Sequence, residues 1–166
     1  MAKKNKDISS SNLIKVKPIT EGQKSVFETW KQGKNQFLFG CAGTGKTFIS
    51  LYLAMQDVLN LQTKYEKVIL VRSLIPTREI GFLPGDEEDK AALYQVPYQN
   101  MVKFMFEQPN EQAFNKLYDR LKSQGSLYFL STSFLRGLTF DNSIIIVDEC
   151  QNLNFHELDT LSLIHI

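Results

Sequence analysis

The chain has 166 residues, of which 43% are hydrophobic and 22% charged. These proportions fit one soluble globular domain and exclude disorder along the whole chain. The net charge of +1 does not favour a strongly basic nucleic-acid-binding protein. No apolar run reaches the roughly 18 residues that a membrane span needs, and the distant Cys41 and Cys150 predict neither a disulfide framework nor a zinc site, so we expect a cytoplasmic protein.

Residues 1–12 are polar and lysine-bearing, and they are predicted to form a disordered basic tail. Residues 1–17 contain five lysines against Asp7 alone, whereas the rest of the chain is mildly acidic. Such a tail is either a solvated chain end or a weak attraction for nucleic acid.

Helical and strand-like segments alternate along the remaining chain. In chain order they are a helix over Glu21–Lys31 with Thr20 as its N-cap, a strand over Gln36–Phe39, a helix over Thr47–Leu61, a strand over Lys67–Val71, a loop over Ile75–Gly85, a helical region over Glu87–Phe106 interrupted at Pro97, a helix over Glu111–Lys122, and strands over Leu127–Leu130 and Ile144–Val147. Strands that are apolar on both faces and alternate with helices predict an α/β fold with a parallel sheet flanked by helices.

A complete phosphate-binding pattern lies between the first predicted strand and the second predicted helix. It reads Gly40-Cys41-Ala42-Gly43-Thr44-Gly45-Lys46-Thr47 and matches G-x-x-x-x-G-K-[ST]. The glycines allow backbone N–H groups to face an anion, and the N-terminus of the following helix faces the same point. Lys46 is predicted to bind the β- and γ-phosphates, and the Thr47 hydroxyl to ligate Mg²⁺. The alternative is an ordinary glycine turn.

Two carboxylates end the last predicted strand, at the position of the Walker B motif. Asp148 is predicted to hold Mg²⁺, and Glu149 to act as the general base that activates water. Gln151 either senses the γ-phosphate or caps the next turn. Upstream of the loop, Gln23 is a candidate for gripping the adenine edge, although a glutamine on a helix can simply be exposed.

Four stretches together resemble the PhoH-like family of P-loop ATPases, over about residues 15–160. They are Gly40–Thr47, the run Ile80-Gly81-Phe82-Leu83-Pro84-Gly85-Asp86, the pair Pro97-Tyr98, and Leu135-Arg136-Gly137 leading to Val147-Asp148-Glu149-Cys150-Gln151-Asn152. The last stretch, with Phe155-His156-Glu157-Leu158-Asp159 after it, is similar to bacteriophage-encoded members.

The resemblance implies a RecA/helicase-like P-loop NTPase domain over residues 13–160 that uses ATP and Mg²⁺. It also implies ATP hydrolysis, a link to RNA or single-stranded DNA, no membrane, assembly of the full-length protein into homo-oligomers, and residence in the host cytoplasm if phage-encoded. Arg72 and Arg136 occupy positions from which relatives contact nucleic acid or a neighbouring subunit.

The C-terminus departs from the family pattern. Residues 161–166 match one translated frame of a sequencing-adapter end, so we expect a non-native tail on a truncated gene. In this class a further strand lies between the strand before the phosphate loop and the strand ending at Asp148. Without it, we expect a sheet incomplete at the C-terminus and a chain of low stability.

Three other functions remain open from the sequence. A small-molecule kinase is disfavoured because Glu149 follows Asp148 directly and because an arginine-rich lid is not evident. A nucleotide-dependent interaction module would bind ATP without turning it over. A nucleic-acid motor would be stimulated by RNA or single-stranded DNA.

Overall fold

The computed structural model describes residues 7–72, 87–132, 135 and 138–162. Its helices and strands, in chain order, are α1 (Glu21–Lys31), α2 (Lys46–Leu59), β1 (Lys67–Arg72), α3 (Glu87–Met105), α4 (Glu111–Ser123), β2 (Leu127–Ser131), β3 (Ser143–Asp148) and α5 (Phe155–Ser162). Short 3₁₀ helices cover Ser10–Asn12 and Cys150–Asn152. No described helix combines the length and the apolar character needed to cross a membrane.

The three strands form one parallel sheet with the order β2-β1-β3. Arg72, the last residue of β1, lies opposite Ser131 of β2 and Asp148 of β3. The carboxyl ends of the strands therefore meet at one edge of the sheet, where parallel α/β folds place their ligands. The predicted α/β class, with helices flanking a parallel sheet, is confirmed.

The sheet separates two apolar clusters because side chains alternate along each strand. Val68 and Leu70 of β1 face the larger cluster, to which α2, α3 and α4 contribute most of the helical side chains. Ile69 and Val71 face a smaller cluster with Leu135 and Phe140, against which Leu161 of α5 packs. Helix α2 is the central helix, since Leu51, Ala54, Met55 and Val58 on it are fully buried.

Helix α1 begins where the sequence predicts. Thr20 Oγ1 accepts a hydrogen bond from the Gln23 backbone N–H at 3.2 Å, which confirms Thr20 as the N-cap. Helix α3, by contrast, continues through Pro97, so the predicted interruption is wrong. Pro97 is exposed, while the following Tyr98 and Val102 are buried. Packing of those residues holds the helix together across the hydrogen bond that proline cannot donate.

The predicted strand over Gln36–Phe39 is wrong. These residues have no strand pairing in the structure, and Phe37 and Phe39 are 75% and 85% exposed. A strand exists only if a neighbour accepts its backbone hydrogen bonds. Within the described part of the chain, β3 pairs only with β1, and residues 36–39 pair with no strand. Apolar composition alone does not make this segment a strand.

The predicted disorder of residues 1–12 does not extend to the described residues 7–12. Ser10–Asn12 form a 3₁₀ helix, and Ile8 and Leu13 on either side are 5% and 8% exposed. Their burial against the larger cluster offsets the entropy lost on ordering the segment.

Candidate nucleotide-binding site

The phosphate loop is curled and runs directly into helix α2. Gly43 and Gly45 have φ angles of 75° and 80°, and Gly40 has a φ of 143°. A residue with a Cβ would be strained at these angles, which explains the two fixed glycines of the pattern, Gly40 and Gly45. Gly45 is the N-cap of α2, so the unpaired N–H groups of the first helical turn lie at the end of the loop.

The Lys46 ammonium lies across the loop. Its Nζ donates hydrogen bonds to the backbone oxygens of Gly40 at 2.9 Å and Cys41 at 2.7 Å. Thr44 Oγ1 also donates to the Cys41 oxygen, at 3.0 Å. The loop therefore brings together a mobile positive charge and the positive end of a helix, which is the combination that binds phosphate.

The loop and the end of β3 meet through one hydrogen bond. Thr47 Oγ1 donates to Asp148 Oδ1 at 2.9 Å, although the two residues are 101 positions apart in sequence. A hydroxyl and a carboxylate are hard oxygen ligands of the kind that Mg²⁺ prefers. Across the described residues, no group of three or more Asp, Glu, His or Cys side chains could hold a metal. The Thr47 hydroxyl and the Asp148 carboxylate are thus chemically suited to Mg²⁺.

The second oxygen of Asp148 is bound by a residue to which the sequence analysis gave no role. Tyr98 Oη donates to Asp148 Oδ2 at 2.7 Å, and Arg72 Nη1 donates to Tyr98 Oη at 3.4 Å. Burial of the phenol, followed by the hydrogen bond to Asp148 and its negative charge, raises the pKa of Tyr98 far above its ordinary value. Tyr98 is therefore protonated and acts as a donor at neutral pH. Its pairing with Pro97 in the family pattern was the only sequence signal.

Glu149 follows Asp148 in a left-handed backbone conformation, with a φ of 53°. Its side chain is exposed, and its Oε2 accepts a hydrogen bond from Gln151 Nε2. Strained backbone of this kind is uncommon outside glycine and is concentrated at functional sites. The structure thus joins Glu149 and Gln151 to each other at the end of the strand that carries Asp148.

Gln23 contacts the phosphate loop from helix α1. Its Nε2 donates to the backbone oxygen of Thr44 at 3.2 Å, and its Oε1 accepts from the Ile19 N–H at 2.7 Å. Gln23 is thus tied to the loop and is not simply an exposed helical glutamine. Its binding of adenine stays a prediction.

Of the two arginines predicted to contact nucleic acid or a subunit, the structure describes Arg72. Arg72 is half-buried, and besides Tyr98 it contacts Tyr94, whose ring centroid lies 5.5 Å from its guanidinium carbon. Arg136 lies outside the described residues, as do the predicted loop over 75–85 and the family motif at 80–86.

Comparison with known proteins identifies relatives across most of the chain. Residues 15–163 match the family model described as "PhoH-like protein". The chain is 36% identical over 117 residues to the PhoH-like protein of Synechocystis sp. and 33% identical over 146 residues to the PhoH-like protein of Mycobacterium leprae, covering 70% and 86% of this chain. It is 34% identical over 125 residues, 75% of its length, to Protein PhoH2 of Bacillus subtilis. The matches span only 33%, 39% and 27% of those three proteins, so the chain corresponds to part of each.

Proposed function

Because this chain belongs to the PhoH-like protein family, we propose that it binds ATP together with Mg²⁺ and hydrolyses it to ADP and phosphate. One observation carries the proposal, namely the 2.9 Å hydrogen bond between Thr47 of the phosphate loop and Asp148 at the end of β3. This contact supports the proposal because it joins the loop over residues 40–47 to a carboxylate that can ligate a metal.

The loop supplies most of the binding. Backbone N–H groups between Gly40 and Thr47 and the N-terminus of α2 bind the phosphate oxygens, and Lys46 exchanges its carbonyl contacts for the β- and γ-phosphates. Thr47 and Asp148 would hold Mg²⁺, which would supply positive charge to the phosphates when bound. We assign the adenine edge to Gln23, and its contact with the loop at Thr44 supports this assignment.

Glu149 takes the proton of the attacking water. The water oxygen bonds to the γ-phosphorus, the bond to the β-phosphate oxygen breaks, and the water proton passes to the Glu149 carboxylate. We assign Gln151 the role of sensing the γ-phosphate, and its hydrogen bond to Glu149 supports this assignment.

Two alternatives are separated by the products. A small-molecule kinase transfers phosphate to an acceptor, whereas hydrolysis releases free phosphate. A nucleotide-dependent interaction module binds ATP without releasing phosphate. The adjacency of Asp148 and Glu149 favours hydrolysis, since Glu149 provides a base for water beside the metal ligand.

The first prediction tests the loop. Lys46→Ala removes the ammonium that stabilises charge on the transferred phosphate, so turnover should fall by about 100-fold or more. Phosphate release and the binding of a fluorescent ATP analogue are the measurements.

Lys116→Ala is the matched control, because Lys116 is an exposed lysine on α4. This control should retain the turnover of the unmodified chain. Undiminished phosphate release by Lys46→Ala would remove the proposed mechanism.

We further propose that ATP use is coupled to RNA or single-stranded DNA and that the protein acts as a homo-oligomer. These proposals rest on family membership and on the exposed Lys15 and Lys17 near the N-terminus.

A further inference from the structure

We propose that Tyr98 is a positioning residue that fixes the Asp148 carboxylate in the orientation needed for the Mg²⁺–nucleotide complex. This inference rests on the proposed function, since it assigns Asp148 to the metal. Neither the phosphate loop nor the strand that ends at Asp148 contains Tyr98, which lies on α3, about fifty positions earlier in the chain than Asp148.

The carboxylate of Asp148 is held from two sides. Oδ1 accepts the Thr47 hydroxyl of α2 at 2.9 Å, and Oδ2 accepts the Tyr98 hydroxyl of α3 at 2.7 Å. A carboxylate offers about four acceptor positions, so two hydrogen bonds leave lone pairs free for a metal or its water. With one bond on each oxygen, rotation of the group about its last torsion is blocked.

The direction of the Tyr98 hydrogen bond follows from Arg72. A guanidinium can only donate, and Arg72 Nη1 lies 3.4 Å from Tyr98 Oη. The tyrosine oxygen therefore accepts from Arg72, and its own proton is directed to Asp148. The positive charge of Arg72 also strengthens the phenol as a donor, because it polarises the chain of hydrogen bonds.

The donor is itself immobile. Tyr98 is only 3% exposed, and its ring centroid lies 5.7 Å from that of Phe129 on β2. Arg72 is fixed in turn against Tyr94, one turn before Tyr98 on the same helix. Strands β1 and β2 and helix α3 thus hold the hydroxyl in place, and the helix can orient Asp148 without touching the nucleotide.

A hydrogen bond to a metal-binding carboxylate influences metal affinity by orienting the ligand and setting its basicity. Loss of such a partner typically costs about 10- to 100-fold in metal affinity or activity. A purely structural tyrosine would affect the free energy of unfolding but not the dependence of nucleotide binding on Mg²⁺.

The experiment compares Tyr98→Phe with the unmodified chain in a Mg²⁺ titration of fluorescent ATP-analogue binding. Tyr98→Phe keeps the ring against Phe129 and removes only the hydroxyl. We expect the Mg²⁺ concentration at half-saturation to rise by about tenfold, while analogue binding in excess chelator stays unchanged.

Tyr52→Phe is the matched control. Tyr52 is equally buried, at 2% exposure, and its hydroxyl donates to the backbone oxygen of Ile14 at 3.0 Å, away from Asp148. It should lose stability as Tyr98→Phe does but keep the Mg²⁺ midpoint. An unchanged midpoint in Tyr98→Phe, or an equal shift in Tyr52→Phe, would overturn the proposal.

Lys46→Ala and Asp148→Asn distinguish failure of the Tyr98 proposal from failure of the proposed function on which it rests. If both lower Mg²⁺-dependent binding and Tyr98→Phe does not, only the role of Tyr98 is refuted. If the unmodified chain binds the analogue without any Mg²⁺ dependence, Asp148 is no metal ligand, and the inference falls with the proposed metal site.

Discussion

Glu149 combines an exposed carboxylate with a left-handed backbone, immediately after the residue that binds Thr47. A strained residue beside a candidate metal ligand is expected to serve the reaction, because strained backbone is concentrated at functional sites. Gln151 contacts the carboxylate from two positions further along the chain. At the scale of single residues, we expect a substitution at Glu149 to reduce ATP hydrolysis without reducing ATP binding.

Glu149→Gln should reduce phosphate release by at least about 100-fold and leave ATP-analogue affinity within a few-fold of the unmodified chain. The amide keeps the shape and the contact with Gln151 but cannot accept the water proton. Single-turnover phosphate release and equilibrium binding are the measurements. Glu107→Gln is a suitable control, because Glu107 is another left-handed glutamate, with a φ of 47°, at the end of α3. Full turnover in Glu149→Gln would exclude Glu149 as the base.

Candidate site residues could be located from the sequence where their signal is local spacing. Lys46 and Thr47 are assigned by a contiguous pattern, and Asp148 by a strand that ends in acids. Their juxtaposition across 101 positions was inferred and is seen in the structure. Tyr98 could not be given a role, because its contact with Asp148 depends on how α3 docks against the sheet.

At the scale of elements, the first turn of α1 links a helix cap to the phosphate loop. Thr20 and Gln23 form a reciprocal capping box, in which each side chain binds the other's backbone. The same Gln23 side chain reaches the Thr44 oxygen at 3.2 Å. Orientation of the helix start and orientation of the loop are therefore coupled.

Thr20→Ala and Asn110→Ala each remove one N-cap and should each lower the free energy of unfolding by about 1 kcal/mol. Asn110 caps α4 by accepting the Ala113 N–H at 2.8 Å and does not contact the loop. Only Thr20→Ala should weaken ATP-analogue binding, by several-fold, because it releases Gln23. Chemical unfolding and ligand titration measure the two effects. Equal binding losses in both variants would argue against the coupling.

Helices and strands could be predicted where a hydrophobic pattern extends over several residues. Prediction failed where strand formation depends on a pairing partner. The amphipathic pattern gives α1 its observed bounds, and β1 and β3 differ from prediction by one residue or two. Residues 36–39 have equally apolar composition, but strand formation there depends on a partner that composition does not reveal. Likewise, Pro97 breaks an isolated helix but not this one, in which the following Tyr98 and Val102 are buried.

At the scale of the whole molecule, charge is distributed unevenly. Residues 1–17 are basic and the remainder is mildly acidic, and the described part of the basic segment presents Lys15 and Lys17 to solvent. Nucleic acid would therefore be attracted chiefly to the N-terminal segment, with an affinity that falls as salt rises.

RNA or single-stranded DNA should raise the rate of ATP hydrolysis, and the double variant Lys15→Glu/Lys17→Glu should lose most of that stimulation while keeping the basal rate. Lys31→Glu/Lys34→Glu changes the net charge by the same amount. Lys31 is the exposed last residue of α1 and Lys34 an exposed residue just beyond it, and this control should retain the stimulation. Turnover across a salt series is the measurement. If neither nucleic acid changes the rate, the coupling to nucleic acid is wrong.

The Thr47–Asp148 hydrogen bond has a consequence for how the molecule acquires its site. Asp148 is synthesised 101 residues after Thr47, so the ribosome must make this whole stretch before the two residues can meet. Closing so long a connection has an entropic cost and is slow compared with forming a local helix. A ligand that contacts both ends recognises only the finished topology, and by mass action it draws the folding equilibrium towards that state. Besides being the substrate, the nucleotide would thus stabilise the folded state of the chain once both parts of the site have formed.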